Sequence, residues 1–125
     1  MSTNQYELTV AWTDAVIASR VELADSSWKR MRGLLGRGSL AADAGMRFEP
    51  ASSLHMMFMR FAIDVVYVDR EERVVKLVRD FKPWRFSWAR GARTAYELST
   101  GSIDRSGVVV GDLLQLRAVD QPMVA

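Results

Sequence analysis

The chain predicts an α+β fold, mainly β: a single compact antiparallel β-barrel-like domain with one short helix. Three observations predict it. Apolar residues alternate with a period of two in several short segments. The run Ile63-Asp64-Val65-Val66-Tyr67-Val68 is β-branched in the manner of a buried strand. Only one stretch places apolar residues at helical spacing.

Tyr6, Leu8, Val10 and Trp12 share one face of the first expected strand. A second, from Ala15 to Leu23, carries Val16, Ile17, Val21 and Leu23. Asp25 or Ser26 can cap the expected helix, which sets Trp28, Met31, Leu34 and Leu35 on one side and ends at Gly36. Gly33 inside it costs about 1 kcal/mol relative to alanine, a hint of close packing or an early end. The polar turn Asp69-Arg70-Glu71-Glu72 joins the β-branched run to Arg73–Val78, the clearest hairpin in the chain. Tyr96–Leu98 and Val108–Val110 are shorter strand candidates, and Asp112–Val119 closes the chain with Leu114, Leu116 and Ala118 alternating. No repeat or flexible linker interrupts residues 1–125, so one domain is expected.

Composition removes whole classes of chemistry. The 125 residues contain no cysteine and one histidine, His55, which excludes disulfides, thiolate nucleophiles, iron–sulfur clusters and any metal site needing two imidazoles. Neither a metal nor another cofactor is expected. Glu7 and Asp14 interrupt the residues before the first basic one, Arg20, which predicts no secretory signal. Apolar runs are too short for a membrane helix, and a cytoplasmic location is expected.

The formal charge of +2 conceals an asymmetry. Between Arg70 and Arg93 eight basic residues face three acidic ones, and Phe81, Trp84, Phe86 and Trp88 lie among them. Arginine interleaved with aromatics suits phosphate contacts and base stacking, which makes Arg79, Lys82, Arg85, Arg90 and Arg93 candidates for binding an anion or nucleic acid. A solvated strand face gives the same pattern, and fourteen of the seventeen basic residues are arginine.

Leu54-His55-Met56-Met57-Phe58-Met59-Arg60-Phe61 is the unusual segment. Its methionines and aromatics form an adaptable apolar surface, able to line a ligand pocket or to fill a core. Asp64 stands in the most apolar run of the chain. Such a carboxylate is paired, or its pKa is raised by desolvation. With His55 it is a candidate acid/base pair; alone it is a candidate anchor accepting backbone N–H bonds. Glu97, between Tyr96 and Leu98, raises the same question, and strand alternation lets only one of those two sets face a one-sided core. Gly107-Val108-Val109-Val110-Gly111-Asp112 lacks the spacing of a phosphate loop.

In order along the chain, Arg32-Gly33-Leu34-Leu35-Gly36-Arg37, Gly45-Met46-Arg47-Phe48, His55, Met59-Arg60-Phe61, Ile63 through Asp69, Glu97-Leu98, Gly101 and Gly107 through Asp112 resemble the DUF192 family of small bacterial and archaeal proteins. The resemblance spans roughly residues 6–118. It implies a compact β-barrel-like domain with a short helix and supplies no activity. Met56 and Ala62 stand where the family often has threonine after the histidine and proline before Ile-Asp.

The function expected from these features is a non-catalytic domain that binds a small molecule or a protein partner. Arg32, Arg37, His55, Met57, Met59, Arg60 and Asp64 are its expected lining. The alternatives are a hydrolase using Asp64 and His55, and a nucleic-acid or anion binder through Arg70–Arg93. The absence of a coherent catalytic set leans away from an enzyme.

Overall fold

The computed structural model describes residues 5–24, 40–55, 61–83 and 85–119; at 54 and 55 it describes the backbone only. The strands are β1 (Gln5–Val10), β2 (Val16–Ala24), β3 (Ala44–Phe48), β4 (Ser53–His55), β5 (Ile63–Val68), β6 (Val74–Phe81), β7 (Phe86–Trp88), β8 (Thr94–Ser99) and β9 (Leu114–Ala118). A short helix, α1 (Ser102–Ser106), sits between β8 and β9. Seven strands form one sheet in the order β6-β5-β8-β3-β2-β1-β9, and β4 pairs with β7 as a separate ribbon.

This is the mainly β fold with a short helix that the sequence predicts, with two corrections to its architecture. The sheet is mixed, because β2 and β3 run parallel from Arg20↔Ala44 to Ala24↔Phe48. A parallel pair needs a long crossover, and residues 25–43 supply one. Nor does the sheet close into a barrel. Among the described residues its edge strands β6 and β9 meet at one corner, through an isolated Arg73↔Leu113 bridge and the bonds Val74 N–H to Asp112 O, Gly111 N–H to Val74 O and Leu114 N–H to Glu72 O. The expected helix over 25–36 lies outside the described residues.

The hairpin β5–β6 forms as its sequence predicts, with Val68 opposite Val74. Asp69 organises its turn: Oδ1 accepts from the backbone of Glu71 at 2.9 Å and Arg73 at 3.0 Å. Val108–Val110, by contrast, makes no strand. Only Val108 is buried, while Val109 and Val110 stand exposed in the turn before β9. Trp12, expected on the β1 face, lies beyond the strand end and is exposed, its Nε1 donating to Asp112.

Every residue of β5 and of β8 is buried, because the sheet is covered on both faces. Leu8, Val10, Val21, Val66, Val74, Tyr96, Leu98 and Leu114 form one core with Ile103 of α1. Residues from both ends of the sheet meet there, so the sheet curls around this core without closing. Met46, Phe48, Ile63, Val65, Tyr67 and Ala95 form the second core, on which Ala51 and Ala89, flanking the β4–β7 ribbon, are packed. Alternation therefore does not force a choice between Tyr96/Leu98 and Glu97, as a one-sided core would.

The sequence reading contains no strand at β3, which carries a glycine and an arginine in five residues. Gly45 is there because β3 passes close to its neighbours: a Cβ would stand 2.7 Å from Leu98 Cδ2 and 3.3 Å from the Glu97 carbonyl oxygen. Gly45→Ala is expected to lower stability by about 1–3 kcal/mol, the usual cost of overpacking. Chemical denaturation checks it, and an unchanged midpoint would mean that β3 has room to move aside.

Candidate functional site

Of the residues expected to line a ligand site, Arg32, Arg37, Met57, Met59 and Arg60 lie outside the described residues. His55 ends β4 opposite Phe86; its side chain also lies outside what is described. Asp64 is placed clearly. Its side chain points from β5 into the first core and is fully engaged with backbone. Oδ1 accepts the Asp80 N–H and Oδ2 the Ile103 N–H, each at 3.0 Å. The second bond supplies the helix cap that α1 lacks locally, since Gly101 at the N-cap offers no side chain.

The basic stretch is divided by its own partners. Arg79 pairs with Asp104 of α1 at 2.9 Å, Lys82 lies 3.9 Å from Asp80, and Arg93 reaches Glu49 at 3.3 Å. Arg85 and Arg90 are exposed, with no ion pair among the described residues. On β7 Phe86 and Trp88 are 52% and 59% exposed, and the Lys76 ammonium lies 6.0 Å from the Trp88 ring centre while donating to the Trp88 carbonyl. Cation and aromatic thus share one surface at this ribbon.

A cleft of about 490 Å³ opens beside it. Its walls are the segment from Pro50 to Ser53, Arg70 in the hairpin turn, and residues 91–93 before β8. Backbone bonds fix this geometry: Ala51 N–H donates to Arg93 O, Ala89 N–H to Ser52 O, and Arg93 N–H to Val68 O. Near one wall, Arg47 on β3 donates to Tyr96 Oη at 3.1 Å, Glu49 at 3.1 Å and Glu72 at 3.2 Å, and Tyr96 donates to Glu72. Burial works against the Arg47 charge, yet Tyr96, Glu72 and Glu49 outweigh it and hold its pKa above the ordinary value. Burial likewise opposes the Glu49 charge, but Arg47 and Arg93 pull its pKa down. The Tyr96 hydroxyl is pushed up by burial and then by Glu72. Glu49 thus links the cleft arginine to the sheet.

A second polar group lies on the opposite face of the sheet. Glu97 is 6% exposed, and burial alone pushes its carboxyl up to about 8. No described residue pairs with it. Cross-strand register sets Val65 on one side and Met46 on the other. Tyr67 is opposite Ala95, hence diagonal to Glu97 on the same face. The Tyr67 hydroxyl and the Ser87 hydroxyl of β7 are both buried without a hydrogen-bond partner among the described residues. Burial raises the Tyr67 pKa, with Ser87 working against that and Glu97 adding to it, which places both Ser87 and Glu97 near the Tyr67 hydroxyl. Two orphaned hydroxyls beside a buried carboxyl in one apolar layer are unusual.

The sequence singles out Glu97 by its apolar neighbours and Arg93 by its charge. It gives no sign of Tyr67, Ser87, Ser52 or Ser53, whose partnership depends on how the ribbon lies on the sheet. Among the described residues no group of three or more histidine, cysteine, aspartate or glutamate side chains is placed to hold a metal ion.

Fold and site define a mainly β domain with a basic surface cleft and a buried carboxyl layer. The DUF192 family, described as an uncharacterized ACR, matches residues 8–116, and the chain belongs to it. A UPF0127 protein of Thermococcus sibiricus is 35% identical over 102 residues, 78% of this chain and 66% of the relative. The chain therefore spans about two thirds of that protein's length. A UPF0127 protein of Pyrococcus furiosus is 36% identical over 103 residues, 79% of this chain and 88% of the relative. The fold matches a crystal structure of a protein of unknown function from Novosphingobium aromaticivorans, with a TM-score of 0.75 and 24% identity, over 89% of this chain and 83% of the other. None of these names carries an activity. No described helix is long and apolar enough to cross a membrane.

Proposed function

We propose that this chain is a non-catalytic binding domain that takes a small anion in the cleft between Arg70 and Arg93. The cleft is the observation that carries the reading: two arginines and two serines border one concavity whose backbone is fixed by hydrogen bonds. Arg70 has no ion pair among the described residues, and Arg93 holds Glu49 at 3.3 Å, a contact that a stronger anion can displace. Asp64 supports a non-catalytic role, because both its oxygens already accept backbone amides. That arrangement weakens a hydrolase built on Asp64 and His55. The segment around His55, with Met57, Met59 and Arg60, and the arginines Arg32 and Arg37 are proposed as further lining. A cytoplasmic setting accords with the cysteine-free composition.

Calorimetric titration with inorganic phosphate and with citrate tests the cleft. Binding is expected to weaken with salt and to fall by about tenfold in Arg70→Ala or Arg93→Ala. Equal binding by the double variant would overturn the assignment. One observation favours a second reading, binding of single-stranded nucleic acid: exposed Phe86 and Trp88 share the ribbon surface with Lys76, Arg85 and Arg90. For that reading, reversing the charge of Arg85 and Arg90 abolishes oligonucleotide retention at low salt. If the unmodified chain retains no oligonucleotide there, the reading is wrong.

A further inference from the structure

We propose that Tyr67, Glu97 and Ser87 form a receptor for a primary ammonium group, the head of a small apolar amine. These side chains lie in the layer between the seven-stranded sheet and the β4–β7 ribbon. Each is more than nine-tenths buried, and none has a hydrogen-bond partner among the described residues. Groups so placed must be satisfied by something other than described protein atoms.

The chemistry of the three groups selects the guest. A primary ammonium has three N–H donors and no acceptor. Here a carboxylate, a phenol oxygen and a serine oxygen can accept one donor each. Val65, Met46, Ile63 and Ala95 surround the trio in the same core, which suits a hydrocarbon tail. A hard metal ion would require more oxygen ligands than this trio presents. In a chain with seventeen basic residues, the carboxyl of Glu97 has no described side-chain cation against it.

Among the described residues, the charges facing this layer can be named strand by strand. Tyr67 on β5 is the other titratable group of the trio. Lys76 on β6 lies opposite Tyr67 in register, but its ammonium is held by the Trp88 carbonyl at 2.7 Å. Glu22 on β2, in register with Met46, is exposed to solvent. Arg93, before β8, is tied to Glu49. β7 presents Ser87, which carries no charge.

Proton balance follows directly. Below its midpoint near 8 the Glu97 carboxyl is protonated in the free protein. An alkylammonium already carries its charge in water, so on binding it displaces the carboxyl proton to solvent and pairs with the resulting carboxylate. Affinity therefore rises by up to about tenfold per pH unit up to that midpoint and then levels off.

The test uses the full chain, n-butylammonium chloride and n-butanol, by calorimetry at pH 7 in two buffers of different ionisation enthalpy. The amine is expected to bind with a Kd of about 1 mM, the range allowed to so small a ligand. About one proton should be released per amine bound. Butanol should not bind, Glu97→Gln should weaken the amine by about tenfold or more, and Tyr67→Phe and Ser87→Ala should each weaken it severalfold. If Glu97→Gln fails to fold, proton release by the unmodified chain and the loss in Tyr67→Phe decide the matter. Absence of amine binding, equal binding of butanol, or binding without proton release would overturn the proposal. None of these results bears on phosphate binding in the cleft, so the two sites stand or fall separately.

Discussion

Asp64→Ala will unfold this protein at a markedly lower denaturant concentration than the unmodified chain. The carboxylate is 1% exposed and satisfies two backbone donors from distant parts of the chain, Asp80 at the end of β6 and Ile103 in the first turn of α1. Removing it leaves both amides without their acceptor and empties space in the first core. An orphaned buried donor costs about 1–3 kcal/mol, so the two together cost roughly 2–6 kcal/mol. Asp64→Asn separates the causes: its one carbonyl oxygen can serve one amide, so it should recover part of the loss. Amide exchange at Ile103 gives the local readout, with faster exchange expected in both variants. Near-native stability in Asp64→Ala would show that the anchoring role assigned to this carboxylate is wrong.

Glu97→Gln will change the pH dependence of stability more than any surface charge replacement. The folded carboxyl titrates near 8, whereas its ordinary value is 4.5. Between those values the folded state binds a proton that the unfolded state does not. Stability from this group is therefore present below about pH 4.5, declines as pH rises, and is gone above about 8. The slope reaches about 1.4 kcal/mol per pH unit at its steepest, a total of several kcal/mol across the window. Glutamine keeps the shape without ionising. The variant should match the unmodified chain near pH 4.5 and exceed it increasingly towards pH 8. Denaturation midpoints at several pH values, taken as the difference between the two proteins, cancel contributions from groups with the opposite trend, such as Glu49 with its lowered pKa. A difference that does not vary with pH would mean that Glu97 is solvated or paired.

Much of the sheet is legible from local pattern. The β5–β6 hairpin declares itself through a β-branched run, an aspartate-led turn and a second apolar run, and it forms with that turn. β1, β2, β8 and β9 follow from alternation or from short apolar segments. β3, β4 and β7 do not, because their residues are fixed by what they meet: Gly45 by the side chain of Leu98, Ser53 and Trp88 by each other. The parallel β2–β3 pairing and the unclosed edge at Arg73 and Leu113 are tertiary outcomes that no local period records. α1 is a single turn between two left-handed glycines and is capped from β5, so its own sequence carries little helical signal.

The site shows the same division. Arg93 and Glu97 stand out in the sequence by charge and by context. The cleft does not, since Pro50–Ser53 and Arg70 are brought together only by the loops that join the ribbon to the sheet. The basic excess around Arg79 and Lys82 looks like a free surface in one dimension. In the fold it is partly neutralised, because α1 supplies Asp104 and the end of β6 supplies Asp80. The sequence around Asp64 fits both an acid/base group and an anchor, and the choice rests on two backbone amides from distant segments.

The most direct test concerns the carboxyl of Glu97, on which both the buried layer and its proposed guest depend. With glutamate carbonyl carbons labelled, its chemical shift followed by NMR from pH 4 to 10 should change with a midpoint near 8, and butylammonium should shift that midpoint downwards. A midpoint near 4.5, unmoved by the amine, would contradict the assignment of an uncompensated buried carboxyl to this fold.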